Sequence, residues 1–550
     1  MSSLLMSCLR AAFFLASLVL LPSGVAAQAP EIVAVTFDIL EFEVQGNTVL
    51  PAQAIEEAIT PFLGPTKQMS NVEAARTALE KAYQDRGYLT VFVDVPQQRV
   101  NEGVIVLSVT EGRVARLSVT GSRYFSQGYI REKVPELADG KVPNFNEVQR
   151  QLALVNRTEE RRVQPVMRAG KVPGTGETEL KVDDRLPLSG SVEINNRHAA
   201  DTTPLRLSAT ARYENLFQLD HSVALTLSTA PQATSESRVV SLTYTIPTAE
   251  QSAWVGYVVN SNSSVAAIGD VNVLGKGTTL GLRYVRPITG AADESHSVTF
   301  GVDYKDIGED VRAGSGVIST PLRYLPFQVA YSGTFDHAPQ TQTLVNLQIA
   351  AAFRDILKRT NPDCPGGEVD QFACKRQGGD GGFATLRGDL RHALPLGDKG
   401  AAGTLHLRLG GQVATGPVPS GEQFTIGGAE SIRGYLEAEG AGDRAVLGSV
   451  EWRSPDFASR VSGWVQAADA SNRLFTQSYA LAFADVGRAY TDEPATGQAA
   501  RISLAGVGVG LRVKLRKATS GEFDLAWPLK ATTASPSRSA RLHFKLSFEL

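Results

Sequence analysis

The chain has 550 residues, a formal net charge of −3 at pH 7 and a sequence pI of about 6.2. Several domains of roughly 100–200 residues fit into this length. The 54 basic and 57 acidic residues nearly balance, so the chain lacks the strongly basic overall charge that favours nucleic-acid binding, and we expect no nucleic-acid partner. The 51 glycines and the long runs that alternate apolar with polar residues predict β structure over much of the chain.

Residues 1–27 have the pattern of a secretory signal peptide. Arg10 is their only charge, an apolar run follows it, and Val25 and Ala27 supply the small residues that signal peptidase requires. The apolar run is shorter than the about 20 residues that a transmembrane helix needs. We therefore predict cleavage after Ala27 rather than a membrane anchor, with residues 28–36 as a short N-terminal leader.

Two similar α+β stretches follow, at residues 37–112 and 113–187, each with the order β-α-α-β-β. In the first, Ser70 and Glu73 have the spacing of a capping box at the start of the second helix. Asn144 is placed to cap the corresponding helix of the second stretch. Modules of this kind have an exposed sheet edge that can add an extended peptide as a strand. A role as spacers is the alternative.

From residue 188 to residue 550 the helical periodicity ends and period-two alternation replaces it. A final segment with five large apolar residues on one face would be an aggregation hazard at the edge of a soluble sheet, but it suits the lipid side of a barrel. Sixteen candidate strands, joined alternately by short and long connections, predict an antiparallel transmembrane β-barrel with both ends on the periplasmic side. The five apolar residues are Leu542, Phe544, Leu546, Phe548 and Leu550.

Two cysteines remain once the signal peptide is removed, Cys364 and Cys374, in a polar loop. An exported protein would join them in a disulfide; a metal site is the alternative, although no histidine lies nearby. The chain has no HExxH, GxSxG or P-loop motif. We therefore expect no enzyme, no metal site and no cofactor, with an enzymatic barrel as the alternative reading.

An arginine in the long connection at about 417–443 needs a partner. Arg433 lies in FTIGGAESIRGY, and about fifty residues later the segment ALAFADVGRAY places Phe483, Asp485 and Gly487 on one strand face, with alanines on the other. If the alanine face contacts lipid, Asp485 points into the lumen. A loop folded back into the barrel would then bring Arg433 to Asp485; an unpaired arginine in a surface loop is the alternative.

GGAESIRGY followed by FADVG resembles the loop-six and strand-thirteen motifs of the BamA-type outer-membrane superfamily, and the two β-α-α-β-β stretches resemble POTRA domains. Two such domains, rather than three or five, resemble the TpsB (ShlB/FhaC/HecB-like) hemolysin activation and secretion proteins. The segment ARYENLFQLDHSVALTLS is similar to the second and third barrel strands of that family, but its turn lacks the usual glycine-rich GxGD.

The resemblance implies a fold and a location. It implies two periplasmic POTRA domains (37–112 and 113–187) and a 16-stranded transmembrane barrel (188–550) in the outer membrane of a Gram-negative bacterium. It further implies that Glu451 and Arg453 face the lumen, and that the barrel assembly machinery engages the C-terminal strand at 541–550. The implied loop-six motif residues are Gly427, Gly428, Ile432, Arg433, Gly434 and Tyr435.

The resemblance also implies a function. The expected partner is a secreted TpsA-like exoprotein of the hemolysin or adhesin class, bound unfolded by the POTRA domains and conducted by the barrel in two-partner secretion. Many family members begin with a plug helix, for which residues 28–36 are too short, so we expect none. An assembly factor of the BamA or TamA type, which inserts other barrels, is the alternative.

Overall fold

The computed structural model divides into two compact units, one of residues up to 121 together with 130–183, the other of 122–129 together with 184–550. The predicted signal peptide and nearly all of the predicted leader lie outside the described residues. No helix within the described residues is long and apolar enough to cross a membrane. The structure describes residues 35–99, 102–200, 202–248, 251–263, 266–268, 271–273, 276–291, 293–308, 310–313, 316–354, 356–362, 364, 368–458, 475–515 and 518–550.

The first module has the predicted β-α-α-β-β order with one small addition. Its three-stranded sheet has the order β2-β5-β4, in which β2 is parallel and β4 antiparallel to β5. A two-stranded ribbon of β1 and β3 was not expected from the sequence. The elements are β1 (Phe37–Ile39), β2 (Glu41–Gln45), α1 (Ala52–Ile59), β3 (Gly64–Lys67), α2 (Met69–Asp85), β4 (Val91–Asp94) and β5 (Val104–Glu111).

Helix α2 closes the core of this module. Its residues Leu79 and Tyr83 are fully buried against Leu107 of β5, and the Tyr83 hydroxyl donates to Asn47 Oδ1 at 2.6 Å. Burial, with the charge of Glu111 as a second cause, raises the pKa of the Tyr83 hydroxyl well above its ordinary value. The side chain is therefore a neutral hydrogen-bond donor that fixes the turn after β2 to the helix.

The predicted capping box of α2 is wrong by two residues. Gln68 is the N-cap, and it exchanges side-chain and backbone hydrogen bonds with Asn71 in the geometry of a capping box. Ser70 therefore lies inside the first turn, and Glu73 pairs with Arg76 at 2.8 Å instead. The bonds that hold this turn run from the Gln68 N–H to Asn71 Oδ1 and from the Asn71 N–H to the Gln68 carbonyl, both at 2.9 Å.

The second module repeats the architecture, with the sheet order β6-β8-β7 and β6 parallel to β8. Asn144 caps α4 as predicted, its side-chain oxygen accepting from the N–H groups of Asn146 (3.0 Å) and Glu147 (3.4 Å). The elements are β6 (Arg113–Thr120), α3 (Gln127–Lys133), α4 (Phe145–Val155), β7 (Arg161–Ala169) and β8 (Thr175–Asp184).

The rest of the chain forms a closed antiparallel barrel in which β33 pairs with β9. Its strands and the short elements of its loops are β9 (Leu188–Asn195), β10 (Arg206–Leu216), β11 (His221–Thr229), β12 (Arg238–Pro247), β13 (Ala253–Ser261), β14 (Ala266–Ile268), β15 (Val271–Val273), β16 (Lys276–Ile288), β17 (Glu294–Gly308), β18 (Asp310–Ala313), β19 (Gly316–Ser319), β20 (Leu322–Tyr324), β21 (Phe327–Ala338), β22 (Thr341–Ala352), β23 (Thr360–Asn361), β24 (Val369–Asp370), α5 (Gln371–Lys375), β25 (Phe383–Pro395), β26 (Thr404–Ala414), β27 (Phe424–Ile426), β28 (Gly440–Gly442), β29 (Arg444–Arg453), β30 (Phe475–Tyr490), β31 (Arg501–Leu515), β32 (Thr519–Pro528) and β33 (Arg541–Glu549).

The predicted number of sixteen barrel strands is confirmed within the described residues. Both β20 and β21 pair with β17, so they form one strand that is interrupted at Leu325 and Pro326. We call the end at which the barrel begins and finishes its inner end. The expectation of short inner connections is wrong once, between β29 and β30, where residues 454–474 intervene and 459–474 lie outside the described residues.

Side chains along the strands alternate between the outer surface and the lumen, as the sequence predicts. Val486 of β30 is 56 % exposed on the outer surface, whereas its neighbour Asp485 is fully buried inside. In β33, Leu542 faces outward with half of its surface exposed, and the next residue, His543, is buried. An apolar outer surface and a polar interior are what a membrane-spanning barrel requires.

Candidate functional site: the loop-six anchor in the barrel lumen

The connection between β26 and β29, which we call loop six (residues 417–443), folds back into the barrel. Its strands β27 and β28 pair with each other, and Ile426, Ile432 and Tyr435 are fully buried against the wall. The loop turns sharply at Gly427, Gly428 and Gly434, whose φ angles are +99°, +108° and +99°. These angles favour glycine because a Cβ would clash with the backbone.

Arg433 points from this loop into the wall and meets Asp485 of β30. Its Nε and Nη2 atoms donate to the two carboxylate oxygens at 2.8 and 3.0 Å, and its backbone N–H donates to Oδ2 at 3.1 Å. Asp485 accepts a further bond from Ser449 Oγ at 2.6 Å. The fork of the guanidinium therefore matches both oxygens of the carboxylate, which fixes the orientation of the loop as well as its position.

The remaining predicted residues complete the surroundings of the guanidinium. Arg433 Nη1 donates to Glu451 Oε2 at 2.5 Å, and Glu451 in turn accepts from Arg453 Nε at 2.7 Å. The ring of Phe483 lies 3.3 Å from the Arg433 Cζ atom, close enough for a cation–π interaction. A Cβ on Gly487 would lie 2.4 Å from Ile432 Cδ1, so this glycine makes room for Ile432 rather than for the arginine.

A second acid–base pair was missed at the sequence level. Asp524 of β32 lies 3.9 Å from Arg433 Nη1 and accepts two bonds from Arg512 of β31, at 2.7 and 2.8 Å. Arg512 also lies 3.5 Å from Glu522, which pairs with Lys545, so four cations and four carboxylates share one lumen cluster and its charge balances. Neither Asp524 nor Arg512 lies near a motif. Inward-facing charges in period-two register on adjacent strands were the sequence signal that could have identified them.

A row of glycines on β31 was also missed, and it lets the loop approach the wall. A Cβ on Gly506 would lie 2.0 Å from the carbonyl oxygen of Arg433. A Cβ on Gly508 would meet the Phe483 ring at 2.3 Å, and one on Gly510 would meet Asp524 Oδ1 at 2.0 Å. The sequence signal was GVGVG, which places glycines at every second position on one strand face.

Loop six also contacts the last strand and the segment after the first. The backbone N–H of Gly434 donates to His543 Nε2 of β33 at 3.0 Å. Beyond β9, Arg197 forms an ion pair with Glu430, and the His198 carbonyl accepts from the Glu437 N–H at 3.0 Å. The loop therefore bonds to chain on both sides of the seam at which the barrel closes.

Cys364 and Cys374 form a disulfide in the connection between β22 and β25, and the predicted pairing is present. The disulfide is far along the chain from Arg433 and belongs to a different cluster at the outer end. There Arg376, which follows α5, forms an ion pair with the buried Asp443 at the end of loop six. Within the described residues, no group of three or more His, Cys, Asp and Glu residues could hold a metal ion.

A cavity of about 480 Å³ adjoins loop six on the lumen side. About half of its lining residues are charged, and Arg433 is one of them. Since the cavity shares its walls with the anchor, it is part of the same site. Other lining side chains include His406, Arg408, Glu451, Arg453 and Lys545.

The fold and the lumen site together define a class: outer-membrane β-barrels that carry N-terminal α+β modules and an arginine loop in the lumen. A family model for the ShlB-type POTRA domain matches residues 37–112. The family model described as haemolysin secretion/activation protein ShlB/FhaC/HecB matches residues 174–513, more than half of the chain. The chain therefore belongs to this family, with its barrel in the outer membrane and its POTRA domain in the periplasm.

Individual relatives are more distant. The outer membrane transporter CdiB of Escherichia coli O6:K15:H31 (strain 536 / UPEC) is 24% identical over 179 residues, which are 32% of this chain and 30% of the relative. CdiB of Dickeya dadantii (strain 3937) is 22% identical over 182 residues, 33% of this chain and 32% of the relative. The matches thus span about a third of the length of these curated relatives.

Two solved structures share the fold over nearly the whole chain. CdiB from Escherichia coli has a TM-score of 0.56 at 16% identity, and the match covers 96% of this chain and 93% of that one. BamA from Haemophilus ducreyi lacking POTRA domains 1–3 has a TM-score of 0.55 at 14% identity, with 94% of this chain and 100% of that one covered. At these sequence identities the similarity is evidence for the fold alone.

Proposed function

We propose that the chain exports a large partner exoprotein across the outer membrane by two-partner secretion. The observation that carries this proposal is the ShlB/FhaC/HecB family match, which extends over the barrel from residue 174 to residue 513. The partner is a secreted TpsA-like protein of the hemolysin or adhesin class. The chain acts as a conduit, without catalysis and without a cofactor.

In this proposal the two α+β modules, at 37–112 and 113–187, both act as POTRA domains and receive the partner as an unfolded chain. Each module has a three-stranded sheet with two edge strands, β2 and β4 in the first and β6 and β7 in the second. Parts of these edges are already bonded: Val114 of β6 pairs with Gly140 and Lys141, and the Asn156 side chain bonds both backbone groups of Val163 in β7. An extended segment of the partner can pair with such an edge through its backbone, which requires little sequence specificity.

The barrel at 188–550 then conducts the partner outward, with loop six held at the wall by Arg433. The bidentate pair with Asp485 and the bond to Glu451 support a fixed loop rather than a mobile one. The C-terminal strand at 541–550 serves a separate purpose, since its outward apolar residues suit recognition by the barrel assembly machinery and contact with lipid.

The alternative is an assembly factor that inserts other barrels, and the likeness to BamA in fold is the observation that favours it. Quantitative proteomics of culture medium and outer membrane, with and without the gene, separates the two. The proposal predicts that one large exoprotein disappears from the medium while other barrels keep their levels. A broad fall in outer-membrane barrels, with the medium unchanged, would contradict export and indicate an assembly factor.

A further inference from the structure

Two parts of the lumen wall differ chemically; β13 to β22 separate them on one side, and on the other they meet at the pairing of β33 with β9. Strands β25 to β33 carry the charged cluster that anchors loop six, whereas the inner faces of β9 to β12 are rich in serine and threonine, which we call the hydroxyl wall. Its central residues are Ser191, Ser208, Thr210, Thr226, Ser228 and Ser241.

The strand register aligns these hydroxyl groups. Ser191 pairs with Thr210, Thr210 with Thr226, and Thr226 with Ser241, so one uncharged row crosses four strands. Their neighbours along each strand face the opposite way, as Leu225 and Leu242 show, with 42 % and 43 % of their surfaces exposed on the outer side. Because successive side chains alternate, the hydroxyl row faces the lumen.

The hydroxyl groups bond to one another at rest. Thr210 Oγ1 lies 3.0 Å from Thr226 Oγ1, and Ser208 Oγ donates to Ser228 Oγ at 2.9 Å. All four side chains are half-buried, so they remain accessible from the lumen. Charged side chains flank this row: Arg212 pairs with Glu214 at 3.1 Å, and Glu193, the registered partner of Ser208, accepts from the Asn195 amide at 2.7 Å. The hydroxyl groups of the row itself are neutral donors and acceptors.

A wall of this composition suits a moving unfolded chain. A hydroxyl both donates and accepts, so it can satisfy either backbone group of the passing chain and re-pair with its neighbour afterwards. The net gain of such an exchange is small, about 0.5–1.5 kcal/mol. Apolar walls would hold apolar side chains through burial at about 25 cal/mol per Å², and charged walls would hold opposite charges. A hydroxyl wall therefore binds every segment weakly.

We propose that the exported chain passes along the hydroxyl wall of β9 to β12 while loop six keeps its bonds to the charged strands. This inference rests on the proposed export function and adds the path within the lumen. A purely structural role is the competing explanation, because cross-strand threonine pairs also stabilise sheets. The two explanations differ in what touches these side chains during export.

Cross-linking of an arrested partner tests the path. The exoprotein that disappears from the medium when the gene is deleted is fused to a stably folded domain, so that it halts in the barrel of the full-length protein. Single cysteines are introduced as Thr210→Cys or Thr226→Cys, with His406→Cys in β26 as the matched lumen position on the charged strands. The native Cys364 and Cys374 are already joined to each other.

We expect the arrested chain, carrying its own cysteine, to cross-link several-fold more strongly to Thr210→Cys and Thr226→Cys than to His406→Cys. Equal or stronger cross-linking at His406→Cys would overturn the proposed path. So would the absence of cross-linking at every one of the three positions while the partner is still secreted. If no exoprotein depends on the gene, the failure is that of the export function and not of the path.

A double substitution, Thr210→Val with Thr226→Val, separates transport from sheet stability because it keeps the side-chain shape and removes both hydroxyls. We expect slower export while the barrel keeps its heat resistance on unheated gels, with Thr334→Val in β21 as the control that secretes normally. Unchanged export, or lost heat resistance that accounts for lost export, would indicate that the hydroxyl pairs only stabilise the sheet.

Discussion

Arg433 is a buried cation that is compensated on every side. Asp485 and Glu451 both bond to its guanidinium, and Asp524 lies at 3.9 Å. Burying these charges costs solvation free energy, which the mutual bonds offset only while all members remain. The cluster therefore specifies one position for loop six, because a displaced loop would leave carboxylates unpaired inside the lumen.

Replacing Arg433 with alanine leaves Asp485 and Glu451 without their cation. We expect a loss of about 3–5 kcal/mol of stability if the site is fully buried, and less to the extent that water enters the lumen. Heat resistance of the folded barrel on unheated gels measures this loss. Arg488→Ala, an exposed arginine of the same strand, should change little. Equal heat resistance of the Arg433→Ala variant and the wild type would contradict the role of Arg433 as the anchor of loop six.

The prediction for Gly506 concerns the space beside the strand rather than a charge. A Cβ at this position would lie 2.0 Å from the Arg433 carbonyl oxygen, a backbone atom that cannot rotate away. Gly506→Ala should therefore displace loop six and increase its cleavage by added protease. Gly256→Ala in β13 is the matched control, because no atom lies within 4 Å of the added methyl group. Similar cleavage of both variants would refute the close approach.

At the level of strands, the sequence predicts the fold well because period-two alternation is a local signal. The face shared by Phe483 and Asp485 can be read from β30 alone. The inward orientation of Asp524 and Arg512 can be read in the same way, but their part in the anchor depends on which strands become neighbours of loop six. The capping box of α2 was misplaced for a related reason: Gln68 is an unusual N-cap, and only the geometry reveals its bonds.

The outer loops meet at Asp443. This fully buried carboxylate pairs with Arg376 from the connection that contains the disulfide, accepts from the Val418 N–H at 2.9 Å within loop six, and accepts from the Asp492 N–H at 2.7 Å in the following connection. Three successive outer connections thus share one acceptor. The disulfide shortens the free chain around α5 and so holds Arg376 near this position.

Asp443→Asn should loosen the outer end while keeping the shape of the side chain. The amide loses the ion pair with Arg376 and offers its backbone partners a weaker acceptor, which makes opening of the loops more frequent. Faster uptake of a small hydrophilic antibiotic by cells that carry the variant would report this. Asp336→Asn, the same exchange at an exposed side chain, serves as the control; equal uptake by both variants would exclude a sealing role.

For the barrel as a whole, the two candidate functions make different demands on the seam between β33 and β9, at which the barrel closes. The registered pairs between β33 and β9 run from Lys545 to Glu549 on the β33 side. Single backbone bonds continue at both ends, from the Asn196 N–H to the Phe544 carbonyl at 3.3 Å and from the Leu550 N–H to the Gly190 carbonyl at 2.8 Å. The side chain of Asn196 also extends this pairing, donating to the Leu542 carbonyl at 2.6 Å and accepting from the Phe544 N–H at 2.9 Å. A side-chain amide that takes the place of a backbone pair can be released from β33 more easily than a paired strand.

A covalent lock across this seam distinguishes export through the lumen from insertion of other barrels. Glu193 and Ser547 are registered partners, and Glu193→Cys with Ser547→Cys should form a disulfide in the oxidising periplasm. Export through the lumen leaves the seam closed, so we expect secretion at the wild-type level. An assembly factor would have to offer its strand edge to a client strand, and the lock would then abolish activity until a reductant is added. The two single-cysteine variants, treated with the same reductant, account for any effect of opening the disulfide between Cys364 and Cys374.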